Sequence, residues 1–312
     1  MNTRPPIRIK IFSSFCSSTH AKKSLEKLIT YRENMFNQDN TRSDGVYIVD
    51  ENDEIYTHVI IWNTAMPIIP KRIPKENVIG LACEPLVCLN ISDTFIDYAI
   101  KNIHAYYLGD KEGLPDPFVE GNCYLTYDPP LLNVIPFKSS CMSMVVSNRT
   151  ELSGHLYRHT LLDYILYNNI PIDIYGNGTD RGLYKTRGKQ IKSTRIKGPF
   201  KRYEPYHEYM FTICIENTTS KHYFSEKIIN PLLSNTTPIY IGCENIESYF
   251  PNNVLHLTGD IHQDMNLLIN ILRDPAGYYK KIDTFKVEQK LSLIQNVSKL
   301  YGKQSIKESK NN

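Results

Sequence analysis

Apolar residues fall along this chain in two rhythms. The stretch "IRIKIF" (7–12) alternates and is β-branched, which predicts a strand, whereas "AKKSLEKLITYREN" (21–34) spaces its apolar residues for one face of a helix. "GVYIVD" (45–50), "THVIIWN" (57–63) and "NVIGLAC" (77–83) are short apolar runs of the kind that form buried strands. Residues 113–137 contain five prolines and little periodicity, and read as a boundary loop. The alternation then restarts. "CMSMVVSN" (141–148) reads as a strand, "ELSGHLYRHTLLDYILYNN" (151–169) as a helix, and "PIDIYGNG" (171–178) as a strand ending in a glycine turn. "YMFTICIEN" (209–217), "PIYIG" (238–242) and "NVLHLTG" (253–259) add strands, and "DMNLLINILRD" (264–274) adds a helix. An amphipathic helix or helix pair is expected over 278–303. Strands alternating with helices predict two α/β domains, 1–137 and 138–275, with a helical tail over 276–312.

Composition narrows this picture only slightly. At 312 residues, 41% of them hydrophobic, the chain is long enough for two ordinary domains. A net charge of +3 names no partner. No run of eighteen apolar residues occurs, so no membrane span is expected, and Lys10 interrupts the one candidate for a secretory apolar core. Seven cysteines with no C-x-x-C pair suggest reduced thiols, no zinc site and a cytoplasmic location. The nine histidines offer no H-E-x-x-H pattern, "HEY" (207–209) is expected at the surface, and no metal role is expected. The segment "GNGTDRG" (176–182) lacks the glycine spacing of a phosphate loop and reads as a turn. Residues 181–202 hold nine basic residues and no acidic one. Three readings stay open for them: a solvated loop, a contact with an anionic donor or acceptor, and a nucleic-acid surface. Only Tyr184 and Phe200 are there for base stacking, which counts against the last.

The segment "FTICIENTTSKHYFSEKIINPLLSNTTPIYIG" (211–242) is the most informative in the chain. A strand, a polar loop and a helix follow one another there, and ligands of open α/β sheets bind beyond the carboxyl ends of strands, at helix N-termini. Ser225 is placed to cap a helix beginning near Glu226. Lys227 then falls in the first turn, where the helix dipole disfavours a cation unless an anion shares that end. Pro231 removes a helical hydrogen bond, so the helix should be short or bent.

These residues resemble the signature of glycosyltransferase family 10, the α-1,3-fucosyltransferases, F-x-x-x-x-E-N-S-x-x-x-x-Y-x-T-E-K followed by P-[IV]-x-x-G. Phe211, Glu216, Asn217, Tyr223, Glu226, Lys227, Pro238 and Gly242 are in register, with Thr218 and Ser225 exchanging one hydroxyl residue for another. "SMVVSN", "LYRHTLLDY" and "IDIYGNG" extend the similarity upstream, so that it covers about 141–260 and is weak before that.

The resemblance implies a GT-B architecture, two facing Rossmann-like domains, and inverting transfer of fucose from GDP-fucose to a sugar hydroxyl of a glycan or glycoconjugate. It implies donor contacts by Glu216, Asn217, Tyr223, Ser225, Glu226 and Lys227, with Lys227 on the diphosphate. For Tyr223 a loop aromatic packed on the sheet is the equal alternative. The base is expected in the N-terminal domain, and Glu84 in "VIGLACEPLV", the only carboxylate between Glu76 and Asp93, is the candidate, against a salt-bridge or turn role. Where the family carries an arginine four residues before its "LYR" tyrosine, this chain has Ser153; Arg158 and Arg149 are the candidates to replace it, Arg158 being equally readable as a surface charge. That departure leaves another GDP-sugar, or a UDP-sugar, open as donor. No D-x-D triplet occurs, and none is expected where lysine and helix N-termini hold the diphosphate, so neither a metal nor a further cofactor is expected. A non-catalytic or nucleic-acid-binding protein of the same fold is the competing class.

Overall fold

The computed structural model describes residues 7–36, 46–121, 127, 137–177, 179–180, 182–186 and 189–291. The chain divides into two compact units, one within 1–126 with 221–223 and 291–312, the other within 127–220 and 224–290.

The first unit begins β1 (Ile7–Ser13), α1 (Ser18–Phe36), β2 (Val46–Ile48), β3 (His58–Trp62) and β4 (Val78–Leu81). It continues with α2 (Leu86–Leu89), α3 (Asp93–Asn102), β5 (Ala105–Leu108) and β6 (Phe118–Glu120). Its sheet is parallel throughout, in the order β2-β1-β3-β4-β5-β6. Every residue of β3 and β4 is buried, because a parallel sheet is covered on both faces and needs apolar side chains on both. The strand order reverses direction between β1 and β3. Phe95 packs edge to face on Tyr106 and Phe118 beside β4, with ring centroids 5.4 Å apart for Phe95–Tyr106, and Tyr106 and Phe118 meet at a tilt, 5.1 Å apart. Gly80 admits them: a Cβ there would lie 1.9 Å from the Tyr106 ring. Helix α3 and strand β5 are not among the elements expected above. Ser92 caps α3, accepting from the Phe95 N–H at 3.3 Å.

The second unit opens with β7 (Ser140–Val145), α4 (Ser153–Tyr167) and β8 (Asp173–Tyr175). Then come β9 (Thr179–Asp180), β10 (Leu183–Thr186), β11 (Lys189–Lys192) and β12 (Ile196–Gly198). It closes with β13 (Tyr209–Ser220), α5 (Glu226–Leu233), β14 (Thr237–Cys243), α6 (Ile246–Tyr249), β15 (Leu255–His256), α7 (Ile261–Arg273), α8 (Pro275–Tyr278) and α9 (Thr284–Leu291). The main sheet is parallel, in the order β12-β8-β7-β13-β14-β15, and its direction of growth reverses between β7 and β13. Met142, Met144, Ile174, Phe211, Ile213 and Ile239 of the sheet pack with Leu161 and Ile165 of α4 and Leu268 and Ile271 of α7.

Three expectations change here. The basic segment, for which a solvated loop was one of three open readings, supplies β10–β12, with β9–β11 forming an antiparallel sheet. Two of its cations, Arg195 and Lys197, lie 3.3 and 3.5 Å from Asp173. His207, expected at the surface, has both ring nitrogens buried. The second unit also runs through Lys290, so the tail expected from 276 begins inside it: Tyr279 donates to the Asn235 carbonyl at 2.9 Å and Ile282 N–H to Asn235 Oδ1 at 2.9 Å. The remainder of that tail, 292–312, and residues 122–126 and 128–136 of the proline-rich stretch lie outside the described residues. Among the described residues no helix is long and apolar enough to cross a membrane.

Phe211, with no exposure to solvent, lies at the centre of the second core. Phe211→Ala should lower stability by about 3–5 kcal/mol, read from the urea midpoint, through lost burial and the cavity left behind.

Candidate functional site

Strand β13 pairs regularly with β14 up to Ile215↔Ile241, and pairing resumes only at Ser220↔Cys243. Residues 216–219 therefore bulge opposite Gly242, and the bulge turns the strand end out of the ladder. Gly242 is required by the crowding this produces, since a Cβ would sit 2.4 Å from Glu216 Cγ and 2.7 Å from the Tyr240 hydroxyl. Gly154, in the first turn of α4, meets the other side of the bulge: a Cβ there would lie 1.9 Å from the Glu216 carbonyl oxygen. The N-terminus of α4 thus rests on the backbone of Glu216 and Asn217.

Inside this clamp the Glu216 side chain has no exposure to water. Its Oε1 accepts from the Ser225 N–H at 2.8 Å and its Oε2 from the Ser225 hydroxyl at 2.7 Å. Ser225 caps α5 as expected, accepting from the Lys227 N–H at 3.4 Å. The Lys227 ammonium donates to Ser225 Oγ at 3.0 Å and lies 3.4 Å from Glu216 Oε2 and 3.3 Å from Glu226 Oε1. Burial pulls the Lys227 pKa down, but Glu226 and Glu216 outweigh it and hold the ammonium above its ordinary value. Helix α5 is eight residues long, as Pro231 required.

On the α4 side, His155 is buried and bridges two elements. Its Nε2 lies 3.0 Å from Asn217 Oδ1 and its Nδ1 3.3 Å from the Leu152 N–H. A backbone N–H can only donate, so Nδ1 accepts, Nε2 carries the proton, and Asn217 is oriented by the ring. Burial, Arg158 and Lys227 push the His155 pKa down, against Asn217 and Glu151, which raise it. Sequence reasoning singled out neither His155 nor Gly154, and only the strand register places them here. His155 and His159 stand four apart on α4, a spacing helical metal ligands use. Their rings take different partners: His159 Nδ1 lies 2.6 Å from the Tyr184 hydroxyl and Nε2 3.0 Å from the Arg149 carbonyl. Among the described residues no three His, Cys, Asp or Glu side chains are grouped to hold a metal ion.

The structure brings Glu216, Asn217, Ser225, Glu226 and Lys227 together at the carboxyl edge of β13. Arg158 is not the surface charge allowed for above. It is buried, its guanidinium donating to the Ile215 carbonyl and, at 3.5 Å, to the Ser147 hydroxyl. Arg149 is exposed and pairs with Glu151. Tyr223 is buried. Glu84 belongs to the first unit, half-buried after β4 and directly before Pro85, the N-cap of α2. Asn63 fixes the peptide that leads to it: Asn63 Oδ1 accepts from the Cys83 N–H at 2.9 Å, while the Tyr106 hydroxyl donates to the Asn63 carbonyl at 3.0 Å.

Residues 135–281 match the family model described as glycosyltransferase family 10 (fucosyltransferase), C-terminal. An α-(1,3)-fucosyltransferase B of Drosophila melanogaster is 26% identical over 205 residues, 63% of this chain and 42% of that protein. A putative fucosyltransferase R654 of Acanthamoeba polyphaga mimivirus is 30% identical over 116 residues, 33% of this chain and 19% of that one. The chain thus spans less than half the length of these relatives. In fold it is similar to an α1,3-fucosyltransferase crystallised with GDP-fucose, with a TM-score of 0.54, 15% identity, and coverage of 100% of this chain and 94% of the other. A glycosyltransferase from Rickettsia africae also gives 0.54, at 11% identity, covering 97% and 100%. The fold class is that of the GT-B glycosyltransferases, two α/β units each built on a parallel six-stranded sheet.

Two outcomes test this geometry. Glu216→Ala should cost about 2–3 kcal/mol, since it strips a buried charged acceptor from two donors, whereas Glu226→Ala, at a half-exposed pair, should change stability by no more than about 0.5 kcal/mol. The depressed His155 pKa means stability from the neutral ring is complete above pH 6.5 and lost as pH falls below it. His155→Gln should therefore flatten the fall of the urea midpoint between about pH 7 and about pH 5.

Proposed function

From the premise that residues 135–281 are a glycosyltransferase family 10 domain, we propose that this protein transfers fucose from GDP-fucose to a sugar hydroxyl of a glycan acceptor, with inversion. The observation that carries the reading is the Glu216–Ser225–Lys227 arrangement at the reversal of strand order in the second unit, the position where open α/β sheets hold their ligands. An ammonium stands at the N-terminus of α5 before any ligand arrives, and pre-placed positive charge stabilises a departing diphosphate most.

In this reading Lys227 turns from Glu226 to the diphosphate, and Glu226 contacts the ribose or sugar of the donor. Asn217, held by His155, offers its amide to the donor. Glu216 acts from behind, keeping Ser225 and Lys227 in place. The acceptor oxygen attacks the anomeric carbon, the bond from that carbon to the β-phosphate oxygen breaks, GDP departs, and Glu84 takes the acceptor's proton. Lys227 and the positive end of the α5 dipole carry the diphosphate charge without a metal. A second reading, a different nucleotide sugar, is supported by Ser153 at the position of the family's arginine together with the burial of Arg158 within the fold.

Calorimetric titration of the full chain tests both readings. GDP and GDP-fucose should bind with Kd on the order of micromolar, and Lys227→Ala should weaken both at least about tenfold. Binding of UDP without GDP would reject fucose and favour the second reading, and binding of neither would end the enzyme reading. Glu84→Gln should leave GDP affinity intact and lower transfer by roughly 100-fold or more. Undiminished transfer would remove Glu84 from the chemistry.

A further inference from the structure

The first unit has its own reversal of strand order, between β1 and β3, and so its own crevice at the carboxyl edge. Three loops leave that edge side by side: 14–17 after β1, 63–70 after β3 and 82–85 after β4, which leads into α2. Exposed large hydrophobic residues collect on them and on the turn that follows. Phe15 is 68% exposed, Met66 49%, Ile68 95% and Val87 68%. Isolated apolar side chains at a surface are ordinary, but several gathered at one ligand-binding edge mark an interaction site. The other exposed large hydrophobics described in this unit are dispersed: Tyr47 on edge strand β2, Val119 on edge strand β6, Ile100 on α3 and Ile55 before β3.

These loops are fixed in this arrangement. The Thr64 N–H donates to Ser14 Oγ at 3.1 Å and the Cys83 N–H to Asn63 Oδ1 at 2.9 Å, which joins all three. Pro67 and Pro70 stiffen the middle loop, and the Tyr98 hydroxyl donates to the Pro67 carbonyl at 2.7 Å. Met66 and Ile68 are thus held outward on a braced segment. Charge is nearly absent: across 14–17, 63–70 and 82–90 the only charged residue is Glu84. The loops after the flanking strands β2 and β5 differ, carrying Asp50 and Glu51, and Asp110, Lys111 and Glu112.

We infer that this edge receives a neutral acceptor sugar carried on an alkyl chain, a glycolipid-type acceptor whose chain lies along Phe15, Met66, Ile68 and Val87 while its hydroxyl meets Glu84. The inference rests on the acceptor side assigned above to the first unit. The chemistry of the rim selects this occupant. A side chain set that is mainly aliphatic and crosses three adjacent strands, spaced by about 4.8 Å each, suits an extended hydrocarbon. Along these stretches an anionic saccharide meets no cation, because Lys71 and Arg72 follow only where the middle loop has turned away, with Arg72 donating to the Glu54 carbonyl before β3, and Glu84 repels such a saccharide.

The test uses the full chain with GDP present and compares methyl β-lactoside, octyl β-lactoside and a neutral N-linked glycopeptide by calorimetric titration. The octyl glycoside should bind about tenfold or more tightly than the methyl glycoside, because apolar burial is added for the same sugar. In the double variant Phe15→Ser, Ile68→Ser that advantage should disappear. Both positions are exposed, so the variant should keep its fold and its GDP affinity, which the same titration reads. Equal binding of the two glycosides, an octyl advantage that survives in the variant, or binding of the glycopeptide alone would each overturn the inference while GDP binding persists. Loss of GDP binding in the unaltered chain would instead count against the proposed function.

Discussion

A carboxylate shut away from water, Glu216, is the constraint on which the carboxyl edge of the second unit's sheet depends. A buried charge is tolerated only when its lone pairs are filled and an opposite charge is near. Glu216 meets that requirement by recruiting the backbone and hydroxyl of Ser225 and the ammonium of Lys227, residues that lie nine and eleven positions further along the chain. In doing so it sets the angle at which α5 leaves the loop and the place where Lys227 ends. The bulge in β13 delivers the carboxylate to this position, and Gly242 and Gly154 make room for the bulge from two sides. The motif is therefore mechanically one object: its strand, glycines, cap and lysine make sense only together.

That dependence explains which parts of the molecule could be read in advance. Most strands of the two six-stranded sheets were legible because a parallel sheet covered on both faces leaves near-continuous apolar runs, as in "HVIIW", while β5, β6 and β12 were not expected. The cap at Ser225 and the short helix after it were legible because each follows from local backbone chemistry. Helix α3 went unread although its signals were present, with Ser92 as cap, Asp93 in the first turn and Lys101 in the last. In the basic stretch the strands β10–β12 were not read, because they are short and carry charged residues where buried strands carry apolar runs.

Where polar side chains point was much less legible. Arg158 sits on a helix between Tyr157 and His159, and nothing local distinguishes a guanidinium aimed at a strand carbonyl from one in water. The role of His155 depends on where the β13 bulge places Asn217, a fact of sheet register 62 residues away in sequence. Spacing along a chain reports local geometry, while these two contacts are made by tertiary packing.

The two units use the same topological position for opposite chemistry. Each sheet reverses its order beside its first strand, and each reversal opens a crevice at the carboxyl edge. In the second unit that edge is charged, and its charges are tied to one another through Ser225 and the buried glutamate. In the first unit it is apolar around a single carboxylate, on loops cross-linked by Ser14, Asn63 and Thr64. A phosphate-bearing ligand is recognised by fixed charge and N–H donors, and a largely apolar one by area removed from water. The parallel sheet supplies the crevice in both cases, so the side chains on its edge loops, and not the fold, decide which kind of ligand each unit takes.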